Sequence, residues 1–177
     1  ESAWDFCRAY TLWFGEHNFK DRSHCMGLID VNGVGNLNQK HTNGFVDRLL
    51  AGVGQQLTVS VRKSESDARC FRVSGQTFAL LLRDVDGRAA IVMMDRFRQA
   101  ITDSTFLLDG QKVKTKVNTA TLEVGPDESV LDALQRVEMT MTHAKEVGPD
   151  QNAIMMNGMV TVVEAQRENP TENLVQL

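Results

Sequence analysis

Arg72-Val73-Ser74-Gly75-Gln76-Thr77-Phe78 and Ile29-Asp30-Val31-Asn32 decide how this chain is read. Met26 to Val31 is a short apolar run broken only by Asp30, the pattern of a buried strand. Asn32-Gly33 follows as a turn signal. Ala68 to Val73 and Phe78 to Leu82 read as strands on either side of the polar Ser74-Gly75-Gln76. Asp84-Val85-Asp86-Gly87 then turns the chain. Two strands therefore end in short polar turns that carry most of the chemistry-bearing side chains.

Working outward, residues 3–19 read as a helix rich in large apolar groups: Trp4, Phe6, Tyr10, Leu12, Trp13 and Phe14. Leu37, Phe45, Leu49, Leu50 and Val53 fall at near-helical spacing over 37–53. Leu57–Val61 is expected to be a strand that pairs with Ala68–Val73. Ala90, Met93, Met94, Phe97 and Ile101 mark an amphipathic helix over 88–101. Leu108-Asp109-Gly110-Gln111 is a hairpin signal centred on Asp-Gly. From Val113 to Thr121, apolar and Thr residues alternate with Lys112, Lys114 and Lys116, so one face is wet. Pro126-Asp127-Glu128-Ser129 starts a helix, and Val130, Leu134, Val137, Met141 and Ala144 give its stripe. Gly148-Pro149 stops it, and Ala153–Val163 supplies one or two closing strands. This mixed order predicts an α+β domain with a mostly antiparallel central sheet flanked by helices. The expected organisation is an N-terminal helix over 1–23, a folded domain over 24–164 and a polar C-terminal linker over 165–177.

The 177 residues make one domain, with 42% hydrophobic and 24% charged residues, ordinary for a globular core. Net charge is −4 and the basic residues are scattered, so neither nucleic acid nor an acidic membrane surface is an expected partner. Cys7, Cys25 and Cys70 lack metal-like spacing and suit a reducing cytoplasm better than a disulfide framework. The chain opens at Glu1 without Met, so a longer parent, which could be membrane-anchored, is expected.

Three blocks together resemble the GGDEF family, the diguanylate cyclase domains that condense two GTP molecules into cyclic di-GMP. The first runs from Ile29-Asp30-Val31-Asn32-Gly33 through Asn38 to Asp47-Arg48-Leu49-Leu50 and is similar to the family's IDxDxFKxxN and GDxLL segments. The second is Ser74-Gly75-Gln76-Thr77-Phe78, at the position of the GGDEF turn between two strands. The third, Arg136 to Lys145, is similar to the family's RADxAMYxAK helix. The blocks span roughly residues 24 to 160 in order and spacing. The fold implied is the palm-like sheet of nucleotide cyclases.

Carried over residue by residue, the resemblance implies that Asp30 is the metal-binding aspartate, Asn38 and Asp47 the pair that reads guanine, and Lys145 the triphosphate lysine. Asn32 stands where the strand's second aspartate is expected. Pro149-Asp150-Gln151 stands where an arginine is expected. Gln76 and Thr77 replace the two acids of the catalytic turn. Mg²⁺ prefers anionic oxygen ligands, and an amide and a hydroxyl supply oxygen without charge. Ser74 in place of the turn's first glycine is expected to crowd the approach to a nucleotide. The RxxD product-binding window reads Glu65-Ser66-Asp67-Ala68, without its arginine, and leaves Arg96 as a secondary contact for cyclic di-GMP.

The resemblance thus implies no catalytic residue, a vestigial turn at 74–78 and no cofactor, with Mg²⁺ only if GTP is still bound. It implies a regulatory or protein-interaction module in bacterial cyclic di-GMP signalling, of the kind that forms the N-terminal half of GGDEF–EAL tandems such as the FimX-like proteins. The expected partners are another protein or a neighbouring EAL or sensor domain, or a second copy in a homodimer. The alternative is a non-catalytic GTP sensor that tunes its neighbour. Plainer readings stand beside these. Asp30 is then a strand-end acid facing solvent, Asn38 and Asp47 a helix cap and a surface acid, Lys145 a solvated lysine suited to a helix C-terminus. The methionines Met93, Met94, Met139, Met141, Met155 and Met156 read as core filler. Trp4 and Trp13 could pack on this domain, on a preceding sensor domain or on a partner.

Overall fold

Met26, Leu28, Ile29 and Val31 have no contact with water to speak of, because β1 (His24–Val31) runs through the middle of the molecule with both faces covered. The computed structural model describes residues 2–14, 22–64, 66–163 and 173–176. Along the chain, α1 (Ala3–Phe14) precedes β1, and α2 (Val34–Lys40) and α3 (Asn43–Lys63) follow it. Then come β2 (Ala68–Arg72), β3 (Thr77–Leu82), α4 (Gly87–Thr102), β4 (Ser104–Leu108), β5 (Gln111–Val113) and β6 (Val117–Val124). α5 (Val130–Val147), β7 (Asn152–Met156), β8 (Met159–Val163) and β9 (Asn173–Gln176) complete the order.

The main sheet has six strands in the order β2-β3-β1-β6-β7-β8. Its neighbours are antiparallel except β6 and β7, which run parallel after the α5 crossover. The architecture is α+β with a mostly antiparallel sheet between helices, as the sequence predicts. A smaller sheet joins β5, β4 and β9.

Strand periodicity sorts the side chains into two layers. Cys25, Ile29 and Val31 on β1, with Phe78, Leu80 and Leu82 on β3, pack under α3 and α4. Met26 and Leu28, with Ala79 and Leu81, pack under α1 and α5. Each fully buried Val, Leu, Ile, Phe or Met side chain here contributes about 1.5–3 kcal/mol. The same alternation puts Asp30 and Thr77 on the α1–α5 face. They are direct partners in the β1–β3 register.

α1 is fastened to that face by aromatic contacts. Phe6 meets Phe71 edge-on at 5.6 Å, Phe14 stacks on His24 at 5.0 Å, and the Tyr10 hydroxyl donates to the Glu128 carbonyl at 3.0 Å. On the other face Gly27 lets α4 approach closely, since a Cβ there would sit 2.6 Å from the Met94 thioether. Two hairpin tips are left-handed pairs, Asp109-Gly110 at φ 49° and 76° and Asn157-Gly158 at φ 50° and 75°, the conformation a two-residue β-turn needs.

Several expectations change. Leu57–Val61 is not a strand but the last turns of α3, where Leu57 and Val61 bury their side chains at helical spacing. The single helix expected over 37–53 is two, because Thr42 caps a new one by accepting from the Phe45 N–H. The helix expected over 3–19 is described only to Phe14, and 15–21 lie outside the described residues. Within the stretch expected to be a linker, Asn173–Gln176 form a strand parallel to β4, while 164–172 lie outside the described residues. Met94, Met141 and Met155 are buried, but Met139 and Met156 are exposed rather than core.

Candidate functional site

Asp30 ends the buried part of β1 on the α1–α5 face and is only 4% exposed. The reading of Asp30 as a solvent-facing acid is therefore wrong; the β1–β3–β6 pairing encloses it. A buried carboxylate must be fully hydrogen-bonded or paired. Three groups supply this. Gln76 Nε2 donates to Oδ1 at 3.0 Å, Thr77 Oγ1 donates to Oδ2 at 3.0 Å, and Lys145 Nζ lies 3.0 Å from Oδ2. Gln76 Nε2 also reaches the Val31 carbonyl at 3.3 Å, while the Val31 N–H returns to the Gln76 carbonyl at 3.1 Å. Lys145 comes from the last turn of α5, whose buried stripe Val137, Met141 and Ala144 sets that helix over the sheet. It is half-exposed, and it is paired rather than simply solvated as the plainer reading had it.

The turn at Ser74-Gly75-Gln76 is held from its other side. Val73 and Ser74 N–H groups both donate to the Thr77 carbonyl, at 3.0 and 3.3 Å. The Arg72 guanidinium grips the Gly75 carbonyl through Nε at 3.0 Å and Nη2 at 2.7 Å. None of Ser74, Gly75 and Gln76 has a left-handed φ. Ser74 therefore fits the turn without strain, and it is exposed at the surface. Phe78, the last residue of the turn segment, is buried in the α3–α4 layer.

Asn38, Asp47 and Arg96 make no direct contact with Asp30. Asn38 is exposed on α2 and Asp47 is exposed on α3, over the opposite layer of the sheet. Asp47 has Arg72 Nη2 at 4.0 Å, a long surface pair of little energetic weight. Arg96 is exposed on α4.

A polar cluster that sequence reasoning missed fastens the segment after α5. Arg98 on α4 is 2% exposed and pairs with both Asp95 and Asp150. Thr102 Oγ1 also donates to Asp150, at 3.2 Å. The Asp150 N–H donates to Asn32 Oδ1 at 3.1 Å, so the residue standing in for the second strand acid points at the loop. Asn118 completes the tie, donating to the Gly148 carbonyl at 2.9 Å and accepting from the Gln151 N–H at 3.0 Å. A signal for Arg98 was present: it lies between Met94 and Ile101 on the buried stripe of α4, where a charge demands partners.

A model of the GGDEF domain of diguanylate cyclases matches residues 15–151 of this chain. The chain belongs to the GGDEF family. Solved structures agree on the fold. It is similar to the diguanylate cyclase SiaD of Pseudomonas aeruginosa, solved with its activator SiaC, at 16% identity and TM-score 0.80. That match covers 87% of this chain and 58% of SiaD's, so the chain spans little more than half of that relative. The GGDEF domain of YfiN (TpbB) from Pseudomonas aeruginosa matches at 18% identity and TM-score 0.79, over 88% of this chain and 96% of that one. The FimX GGDEF domain from the same organism matches at 17% identity and TM-score 0.72, over 88% and 93%. No curated protein matches the chain.

In this GGDEF domain the family turn reads Ser-Gly-Gln-Thr-Phe, and its Gln and Thr side chains both serve Asp30. A cavity of about 450 Å³ opens beside them, between α1, the turn and α5. Asp30, Ser74, Thr77 and Lys145 line it; Asn38 and Asp47 do not. Among the described residues no helix is long and apolar enough to cross a membrane.

Proposed function

We propose that this GGDEF domain makes no cyclic di-GMP and works in the cytoplasm as a regulatory or protein-interaction module in cyclic di-GMP signalling. The observation that carries this is the closed circle of donors around Asp30. Family chemistry needs divalent metal beside the β1 acid, and Mg²⁺ takes anionic oxygens in near-octahedral order. Here both Asp30 oxygens are already subscribed, one of them by an ammonium. The other nearby oxygens belong to an amide and a hydroxyl, and Asn32 is turned to the Asp150 N–H. These residues do not fit a catalytic Mg²⁺ site.

The regulatory half of the reading draws on relatives and on surface. SiaD was solved with a protein activator, which is a precedent for a GGDEF protein being engaged by another protein. On this chain Trp4, Leu131 and Met159 are each more than two-thirds exposed, apolar groups available to a partner.

The test is incubation of the purified 177-residue chain with GTP and Mg²⁺, followed by chromatography for cyclic di-GMP and calorimetric titration with GTP. The expected result is no product. Product formation overturns the proposal. GTP binding without turnover converts the module into the nucleotide sensor.

A further inference from the structure

The cavity beside Asp30 is built unlike a triphosphate site. Its ionised lining groups are Asp30, Glu138 and Lys145, two carboxylates against one ammonium. Asp30 and Lys145 neutralise each other at 3.0 Å. What remains is Glu138 on the exposed rim, so the cavity offers a polyanion no net positive charge. Its walls come from both apolar stripes that flank the opening: Phe6 and Cys7 on α1, Leu134 and Met141 on α5, with Leu28 and Val73 from the sheet. Two kinds of donor remain unspent at the polar end. One is the ammonium of Lys145, which carries three N–H groups and has a single ion-pair partner among the described residues. The other is the exposed Ser74 hydroxyl. About 450 Å³ lies within the range of small-molecule sites, roughly 300–1,000 Å³.

We propose that this cavity binds a small uncharged amphipathic molecule, apolar over most of its surface and carrying a hydrogen-bond acceptor at one end. The acceptor meets Lys145 and Ser74; the apolar body lies between Phe6, Leu134 and Met141. A neutral ligand suits the site because each Asp30 oxygen already faces a donor and the charges of Asp30 and Lys145 offset one another. The inference rests on the reading of the centre as catalytically inert. Binding here would fix α1 against α5 and so report to whatever α1 touches.

The probe is 6-propionyl-2-dimethylaminonaphthalene, an uncharged fluorophore with an apolar naphthalene body and a ketone acceptor at one end. Titration into the 177-residue chain is followed by fluorescence and by the methyl resonances of ¹³C-methyl methionine. The expected result is saturable one-to-one binding that shifts the Met141 methyl and leaves exposed Met159 unmoved. Ala3→Trp, at an exposed lining position, and Leu134→Glu each weaken binding by about tenfold or more, equivalent to about 1.4 kcal/mol. GTP with Mg²⁺ leaves the bound probe in place. Non-saturable fluorescence, shifts centred on Met159, or binding indifferent to both variants overturns the proposal. So does competitive displacement by GTP. Cyclic di-GMP assayed in the same samples separates the two failures: product would sink the inert-centre reading whatever the probe does, while no product with no probe binding would sink only this inference.

Discussion

Lys145 Nζ and Thr77 Oγ1 share one oxygen of Asp30, each at 3.0 Å, so a lysine stands against the acid that in a working relative would face metal. Removing the ammonium leaves a buried carboxylate with neutral donors only. Lys145 is half-exposed, which moderates the effect between that of a surface pair and that of a buried one. Lys145→Met is expected to destabilise the chain by about 1–2 kcal/mol. Asp30→Asn with Lys145→Met should cost less than the sum of the two single changes. Urea unfolding of the four-member cycle checks this, and strict additivity would mean that the pair is not coupled.

Arg98 carries a heavier structural role. It is almost fully buried between Asp95 and Asp150, and Asp150 in turn holds Asn32 through its N–H. Arg98→Met leaves two carboxylates facing one another in a low-dielectric pocket. The expected loss is about 3–5 kcal/mol, the usual result of breaking a buried pair from one side. Asp95→Asn added to Arg98→Met should recover part of it. Chemical denaturation with an unchanged m-value is the measurement; a loss below about 1 kcal/mol would place the cluster among surface pairs.

His24 gives the fold an acid-sensitive contact. Burial lowers its pKa, outweighing the opposing pull of the Asp84 carboxylate. Nδ1 accepts from the Asp84 N–H at 3.1 Å, which requires a neutral ring with that nitrogen unprotonated. The unfolded chain therefore binds the His24 proton more readily than the folded one. Stability rises with pH through that interval and is lost as pH falls below the ordinary histidine value of about 6.5. Melting temperature should fall from pH 7.5 to 5.5, and His24→Asn should flatten that slope. Because Phe14 stacks on His24, α1 should loosen first, visible as faster amide exchange at Phe6 to Tyr10.

Much of this was legible from residues alone, for physical reasons that also mark where legibility stopped. Strands flanking 74–76 and the α4 and α5 stripes were readable because burial imposes periods of 2 and 3.6 on apolar residues. Leu57–Val61 misled because Leu57, Val59 and Val61 alternate with Thr58 and Ser60 in the period of a strand; Phe45, Val46, Leu49, Leu50 and Val53 upstream carry the helix through it and leave Val59 exposed. The turn signal Asp109-Gly110 was local and came out as a left-handed pair. At the site, the departures Gln76 and Thr77 were visible in sequence, but their use was not. Whether an amide donates to Asp30 or faces solvent depends on the β1–β3 register, a long-range pairing. Arg98, Asn118 and Asp150 converge from three separated segments, and no spacing along the chain encodes that.

The register also makes a prediction about restoring the acids. Gln76→Asp with Thr77→Glu replaces two donors to Asp30 by two anions and leaves one ammonium among three carboxylates. The double variant should be less stable than the wild type without added metal, since like charges this close repel. Divalent metal then has anionic oxygens to bind, and Mg²⁺ should raise the variant's melting temperature while leaving the wild type unchanged. At a Mg²⁺ concentration about ten times the dissociation constant, the linkage is worth about 1.4 kcal/mol. Cyclic di-GMP should still be absent, because Asn32 remains committed to the Asp150 N–H and Asp150 to Arg98. Thermal unfolding with and without Mg²⁺ tests the first part and chromatography after incubation with GTP the second. Metal stabilisation together with product would show that two side chains alone silence this centre. A variant indifferent to Mg²⁺ would mean that Lys145 still holds Asp30 against the metal.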